Sequence, residues 1–278
     1  MPAQFIGVTG LPRAGSTLLC QLLAQHPEIQ SDVHSSPLCN MVLGLRRLVS
    51  DDSFFLAQLD SDFSRSYGHL RSGMQGFLRG WNEAVTKRYV VDKNRGWLHC
   101  IELLLELEPN AKLIVCIREL GQIYGSIEAQ HQETILLDFI DHLADFDRFG
   151  RADALFAKDK AIGAPLIGLH AMADLPAHVL EHIFILRFED LLTDAVQTMS
   201  QIYAWLGIEN APFDPCNLAR TSQESDSHYR MKYTHRQASV LSVPKRHNVP
   251  VRIQARIESV YPWFYQAYFP KVPTSDPA

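Results

Sequence analysis

The sequence predicts an α/β protein, a three-layer sandwich with a central parallel sheet and the fold of P-loop nucleotide-binding proteins. Three observations support this class. Short apolar segments alternate with segments of helical periodicity along the 278 residues. The first apolar segment runs into a glycine-rich loop, "GLPRAGST" (10–17), that opens a helix. The segment "AKLIVCIR" (111–118) is apolar on both faces, which is typical of a strand in a parallel sheet that helices cover on both sides.

The first half of the chain contains two predicted strands and three predicted helices. "QFIGVTG" (4–10) is an apolar run that ends in glycine, which predicts a buried strand, and 16–26 has helical spacing up to a proline. Helices are predicted at 37–50 and 67–87, joined by a polar stretch. "KRYVVDK" (87–93) predicts a second strand that ends in charge.

The centre of the chain continues the alternation. A helix is predicted at 97–109, closed by its final proline, and the strand at 111–118 follows it. Two further helices are predicted at 119–131 and 134–149.

The last third has one strand and a long stretch without periodicity. "HIFILRFEDL" (182–191) predicts a strand that leads into a helix at 192–206. The segment 209–250 is polar and basic, which predicts a long functional loop. An aromatic-rich helix is predicted at 253–269, packed on the core as a cap.

Composition and charge narrow the class of protein. The chain is 46% hydrophobic and 21% charged, which is typical of a globular domain, and its net charge of −5 argues against a broad nucleic-acid surface. The five cysteines show no metal-binding spacing and predict reduced thiols in the core. We expect no signal peptide and no membrane span, and therefore a cytoplasmic protein.

The glycine-rich loop predicts a phosphate site. Backbone N–H groups at a helix N-terminus bind phosphate oxygens, and Gly15 lets a ligand approach them closely. Ser16 and Thr17 add hydroxyl groups, and Arg13 supplies a guanidinium suited to bidentate contact. Ser16 stands where a P-loop has the lysine that bridges β- and γ-phosphates. One phosphate that carries another group therefore fits better than a triphosphate.

A resemblance to a known family answers what that group is. "GLPRAGSTLLCQLLAQHPEI" (10–29) resembles the opening of sulfotransferases that use 3′-phosphoadenosine 5′-phosphosulfate (PAPS), which have Pro-Arg-Ser-Gly-Thr-Thr-Leu-Leu, a helix and His-Pro-Glu. Ala14 and Ser16 are mild departures. The resemblance implies the sulfotransferase form of the fold and a loop that holds the 5′-phosphosulfate through Arg13, Ala14, Gly15, Ser16 and Thr17.

Two later segments extend the resemblance to the rest of the nucleotide. "KLIVCIRELGQIYGSIEAQ" (112–130) resembles the segment in which an arginine, and a serine eight residues later, bind the 3′-phosphate. These residues are Arg118 and Ser126 here, and Arg118 ends a predicted strand, where α/β sheets bind ligands. "HRQASVLSVPKRH" (235–247) resembles more loosely a loop that closes over the nucleotide, with Lys245 as a family Lys or Arg.

The catalytic residues are also implied by resemblance. "VVDKNRGW" (90–97) resembles the family's lysine segment, so Lys93 is a candidate to stabilise charge near the sulfuryl group. Several branches have a catalytic glutamate where this sequence has His34, whose neutral imidazole can also accept a proton. Cytosolic branches use a histidine where Arg95 stands, and Arg95 cannot be a base. Arg95 is instead a candidate to bind an acidic acceptor or the sulfuryl group.

One further segment carries the resemblance. "ILRFEDLLTD" (185–194) is similar to the family's Arg-Tyr-Glu-Asp-Leu segment, and we expect Glu189 and Asp190 to cap the helix that follows. The matches imply a single sulfotransferase domain over 1–278, with 209–250 as a long loop over the nucleotide site and 251–278 as a C-terminal helix and tail.

The implied function is sulfuryl transfer from PAPS to a hydroxyl, or in second place an amine, by in-line displacement and without a metal. The implied partners are PAPS, PAP as its product, and a small-molecule or glycan acceptor, with no nucleic acid; a homodimer stays open. Two alternatives remain: a P-loop kinase or hydrolase that uses Asp92 for magnesium, and a nucleotide-binding module without catalysis. The segment 36–88 is where acceptor recognition is expected.

Overall fold

Five parallel strands form the central sheet of the computed structural model, which confirms the predicted parallel sheet. The sequence locates four of these strands and misses the one at Ile29–Ser35. The structure describes residues 3–138, 142–218, 224–225, 234–235, 239–242 and 246–270. The strands lie in the order β2-β3-β1-β4-β5. Their bounds are β1 Gln4–Gly10, β2 Ile29–Ser35, β3 Tyr89–Lys93, β4 Lys112–Ile117 and β5 Ile183–Arg187. Two short strands, β6 Glu224–Ser225 and β7 Thr234–His235, form an antiparallel pair of their own.

Helices cover this sheet. The central strands β1, β3 and β4 are buried along almost their whole length, as expected for a parallel sheet covered on both faces. The helices are α1 Ser16–Leu23, α2 Leu38–Ser50, α3 Ser53–Ser61, α4 Phe63–Trp81, α5 Ile101–Leu107, α6 Leu120–Glu133, α7 Arg148–Leu155, α8 Gly163–Ala171, α9 Ala177–Leu180, α10 Phe188–Thr193, α11 Ala195–Leu206, α12 Val251–Val260 and α13 Pro262–Tyr268.

The strand order creates a crevice beside the central strand. From β1 the chain passes to β2 and β3 on one side, and it then crosses to β4 and β5 on the other. Loops that follow β1 and β4 therefore leave the sheet in opposite directions at its carboxyl edge. Ligands of open α/β sheets bind at such a switch point.

The helix predicted at 134–149 is wrong. Residues 134–138 form turns after α6, and the next α-helix, α7, begins at Arg148. The reason is a strong start signal that the prediction did not use: the Asp147 carboxylate accepts a hydrogen bond of 2.7 Å from the Gly150 N–H. Leu136 in the turn is 96% exposed, so no packing favours a helix there.

Aspartate caps also explain the differences in the first half. Helix α3, absent from the prediction, begins after Asp52, whose side chain accepts from the Phe55 N–H at 2.7 Å. Asp62 starts α4 in the same way, by accepting from the Arg65 N–H at 3.1 Å, and α4 therefore begins before residue 67.

Two expectations near the end of the chain are wrong. Glu189 and Asp190 do not cap the helix after them, because they lie in the first turn of α10. The cap of α11 is Asp194, which accepts from the Gln197 N–H at 2.9 Å. The predicted helix 253–269 is two helices, because Pro262 cannot continue α12 and instead begins α13.

All five cysteines are free, and four are buried as predicted, whereas Cys216 is exposed. Within the described ranges, no helix is both long enough and apolar enough to cross a bilayer.

Candidate functional site

The loop between β1 and α1 adopts a backbone that depends on glycine. Gly10 has φ 120° and Gly15 has φ 85°, both in the region that disfavours side chains. A Cβ at Gly10 would lie 2.1 Å from the Cys116 carbonyl oxygen, and one at Gly15 would lie 2.3 Å from the ring of Phe188. The loop is therefore held close to β4 on one side and α10 on the other.

Arg13 occupies the left-handed region without being glycine. Its φ is 58°, a conformation that costs an L-residue about 1–2 kcal/mol. In this conformation the Arg13 Nε donates a hydrogen bond of 3.1 Å to the Ser126 hydroxyl on α6, and this bond offsets part of the cost. Backbone strain of this kind concentrates at functional sites.

Arg118 completes a group of three with these residues. It follows the last residue of β4, and its Nη1 donates to the Arg13 carbonyl oxygen at 3.1 Å. Its guanidinium also lies 4.8 Å from the centre of the Phe188 ring, a cation–π contact. The structure therefore brings Arg13 into contact with Arg118 and Ser126, which follow it in the sequence by 105 and 113 residues.

Positive charge is concentrated and partly desolvated at this point. Arg118 is only 7% exposed, and burial lowers the pKa of its guanidinium. The charge of Arg13 lowers it further, whereas the carboxylates of Glu189 and Glu119 raise it. An anion between Arg13 and Arg118 would offset the repulsion and the lost hydration.

Lys93 lies at the other side of the loop. It is the last residue of β3, is 6% exposed, and donates from Nζ to the Thr17 hydroxyl at 3.1 Å. The ammonium is thus fixed against the first turn of α1. The preceding residue, Asp92, accepts a hydrogen bond of 2.6 Å from the Trp97 indole, and burial raises the pKa of its carboxyl group. Asp92 is therefore engaged inside the core.

His34 and Arg95 lie at the same edge of the sheet. His34 is half-buried on β2, one residue before Ser35, which pairs with Lys93 across the strands. Among the described residues, no hydrogen bond fixes the His34 imidazole. Arg95 begins a short 3-10 helix, Arg95–His99, and its carbonyl oxygen accepts from the Thr9 hydroxyl at 3.0 Å.

Three other residues were predicted to bind the nucleotide: Ala14, Ser16 and Lys245. Ala14 is 2% exposed, so only its backbone can serve a ligand. Ser16 is the first residue of α1, where its N–H is not used within the helix. Lys245 lies outside the described residues.

Glu119 was missed by the sequence reasoning. Its carboxylate caps α6 by accepting from the N–H groups of Gly121 at 3.0 Å and Gln122 at 2.8 Å. The Tyr265 hydroxyl donates to the same carboxylate at 2.5 Å, and Gln254 donates to it at 3.0 Å. The C-terminal helices therefore hold the helix start that directly follows Arg118. The N-cap position was readable from the sequence, but the partners on α12 and α13 were not.

His247 was missed as well. Its backbone makes two hydrogen bonds with the Gln122 side chain: the His247 N–H donates at 2.8 Å, and its carbonyl oxygen accepts at 3.1 Å. It lies in a segment without periodicity, where a single histidine gives no signal.

The described residues contain no group of three or more His, Cys, Asp or Glu side chains arranged to hold a metal ion. The arrangement is that of an anion site: a helix N-terminus, two guanidiniums, one ammonium and two hydroxyls at the carboxyl edge of the sheet.

Comparisons with known proteins point to one family. A family described as "Sulfotransferase family" matches residues 6–212. Protein-tyrosine sulfotransferase 1 of Mus musculus and that of Homo sapiens are each 32% identical to this chain over 124 residues, 43% of its length. The chain spans only about a third of the length of these relatives, 32% in each case.

Among solved structures, the sulfotransferase domain from the curacin biosynthetic pathway is similar in fold. Its TM-score is 0.52 at 18% identity, and the match covers 94% of this chain and 97% of that one.

Proposed function

The chain belongs to the sulfotransferase family, and from this premise we propose that it transfers a sulfuryl group from PAPS to a hydroxyl acceptor, with an amine as the second choice. The observation that carries the proposal is the junction of Arg13, Ser126 and Arg118 beside the glycine loop. This junction offers cationic and hydroxyl donors for two phosphate groups of one nucleotide.

The nucleotide is proposed to lie across the carboxyl edge of β1 and β4. Arg118 and Ser126 bind the 3′-phosphate, and the loop N–H groups with Arg13 bind the 5′-phosphosulfate. Gly15 keeps the loop in this position, because a side chain there would collide with the Phe188 ring. Lys245 lies outside the described residues, and its role as a nucleotide ligand stays a proposal.

Lys93 and His34 are proposed to carry the chemistry. The acceptor oxygen attacks sulfur in line with the bond from sulfur to the 5′-phosphate oxygen, which breaks as the new S–O bond forms. Lys93 stabilises the negative charge that develops on the leaving phosphate. His34 accepts the acceptor's proton. Arg95 is proposed to bind an acidic part of the acceptor or the sulfuryl group. The products are PAP and a sulfated acceptor, and no step uses a metal.

The kinase alternative is not favoured. It requires Asp92 to bind magnesium, but that carboxylate accepts from the Trp97 indole and is 5% exposed. It also requires the Thr17 hydroxyl as a metal ligand, and that hydroxyl accepts a hydrogen bond from Lys93.

A phenolic hydroxyl is the acceptor to test first, since the matched relatives are named protein-tyrosine sulfotransferases. Small-molecule and glycan hydroxyls follow. The single domain over 1–278, a cytoplasmic location, the absence of nucleic-acid partners and a homodimer are further parts of the proposal.

The test is a transfer reaction analysed by mass spectrometry. The purified chain is incubated with PAPS and an acceptor library that contains tyrosine peptides, simple phenols, aliphatic alcohols, sugars and amines. A mass increase of one sulfuryl group on a hydroxyl acceptor is expected. Tight PAP binding with no transfer to any acceptor would instead support the module without catalysis.

A further inference from the structure

His247 packs against α6, the helix that carries the proposed 3′-phosphate ligand Ser126. Its Cβ lies against Gly125 of α6, where an added Cβ would come within 2.5 Å of it. The two hydrogen bonds between its backbone and the Gln122 side chain fix its position on the same helix, one turn before Ser126. The absence of a side chain at Gly125 and the side-chain amide of Gln122 thus fix the position of His247 on α6.

Two guanidiniums act on the half-buried imidazole of His247, and the carboxylates of Glu119 and Glu189 lie near one of them, Arg118. Burial lowers the pKa of His247, and the charges of Arg118 and Arg13 lower it further. On α6 the contacting residues are Gln122 and Gly125, neither of which titrates. On its own segment the described neighbour with a charge is Arg246, which is exposed.

We propose that His247 takes up a proton when an anionic phosphate binds beside Arg13 and Arg118, so that nucleotide affinity is coupled to pH. This inference rests on the proposed function and assigns to its nucleotide site one residue more. The bound phosphate brings negative charge to a group that otherwise faces two guanidiniums. It also gives the charged imidazole an acceptor.

The direction of the effect follows from linkage. In the free protein the depressed pKa keeps His247 neutral near pH 7. A bound phosphate raises the pKa, so binding takes up a proton at pH values between the free and bound pKa. Affinity then rises as pH falls through that interval, by up to about tenfold per pH unit for one whole proton. Protonation of the phosphate itself, with a pKa of about 6, acts in the opposite direction.

Isothermal titration calorimetry measures the proton count directly. Adenosine 3′,5′-bisphosphate is titrated into the full chain at pH 7 and pH 8 in buffers of different ionisation enthalpy. The matched variants are His247→Gln, which keeps the backbone bonds to Gln122, and His69→Gln, which changes an exposed histidine on α4. The wild type and His69→Gln should take up more protons at pH 7 than His247→Gln.

A second measurement covers a variant that folds poorly. In the wild type, the imidazole signal of His247 is assigned by its NOE contacts to Gly125, against which its Cβ lies. Its NMR titration gives the pKa of His247 with and without the bisphosphate, and we expect the pKa to rise on binding. Equal proton counts in wild type and variant, or an unmoved titration, overturn the inference and leave the proposed function standing. Failure of the wild type to bind the bisphosphate at all overturns both.

Discussion

The Arg13 Nε and the Ser126 hydroxyl are joined by a hydrogen bond of 3.1 Å across 113 residues of sequence. One lies in the loop after β1 and the other on α6, so the two sides of the crevice are linked directly. Arg13 holds this contact in a left-handed conformation. A change at either residue should therefore affect the whole anion site.

Adenosine 3′,5′-bisphosphate should stabilise the chain against heat more than Mg-ATP does. A ligand that binds the native state raises the melting temperature by mass action. The loop lacks a lysine for the γ-phosphate, whereas Arg118 and Ser126 suit a 3′-phosphate. Differential scanning fluorimetry at matched ligand concentrations measures this, with adenosine 5′-monophosphate as the control without a 3′-phosphate. An equal or larger shift with Mg-ATP would contradict the proposed nucleotide.

Arg118→Ala should weaken bisphosphate binding by about 1.5–3 kcal/mol, the scale of hydrogen bonds to a charged group. That loss is about 10- to 150-fold in Kd. The control is Arg187→Ala, which removes a guanidinium from the end of the adjacent strand, in register with Ile117. The Arg187 guanidinium lies over the Phe269 ring and pairs with Asp190. If both variants bind as tightly as the wild type, the 3′-phosphate site is misplaced.

Lys93→Ala should lower kcat by about 100-fold or more, the scale of one preorganised electrostatic donor. The KM for PAPS should change less, because the charge on the leaving phosphate is larger in the transition state than in the ground state. Steady-state kinetics with a phenol acceptor separates the two. Lys112→Ala is the control, because Lys112 begins β4 and therefore lies at the end of that strand far from Arg118 and the site. A loss confined to KM would assign Lys93 to binding alone.

His34→Ala should lower kcat by at least about 100-fold, the low end for a positioned general base. His34→Glu should keep part of the activity, because a carboxylate can accept the same proton. His178→Ala, which changes an exposed histidine on α9 outside the segment 36–88, should behave as the wild type. Turnover of His34→Ala near the wild-type value would place the base elsewhere.

Gly15→Ala should destabilise the chain more than Gly207→Ala. Both glycines have positive φ, which costs an alanine about 1–2 kcal/mol. The Gly207 Cβ would meet nothing within 4 Å, whereas the Gly15 Cβ would displace the Phe188 ring, and overpacking costs typically about 1–3 kcal/mol more. Urea unfolding of both variants measures the difference. Equal losses would mean that the ring moves aside freely.

The sequence predicts four of the five strands well and the edge strand β2 poorly. β1, β3, β4 and β5 are apolar runs that pattern alone locates. β2 has only Ile29 and Val33 buried among its seven residues, so it lacks an apolar run. Its position follows from the pairing with β3, which is a tertiary property.

The site divides in the same way. Arg13, Arg118 and Ser126 could be named from motifs, because they lie in the loop after β1, directly after β4 and on the helix after β4. His247 could not, since its seat on Gly125 and Gln122 is a contact across more than a hundred residues. In the sequence, Tyr265 is one of several aromatic residues predicted to pack on the core. Its hydrogen bond to the Glu119 carboxylate is visible only in the structure.

The bond between Tyr265 and Glu119 also has a consequence for synthesis on the ribosome. All five strands of the sheet have been translated once Arg187 is made, yet Glu119 gains its last partner only when α13 leaves the exit tunnel. At about 5–20 residues per second, several seconds separate the synthesis of the last strand from that of α13. During this interval the start of α6 lacks its C-terminal support, so we expect nucleotide binding to begin only after α13 has folded.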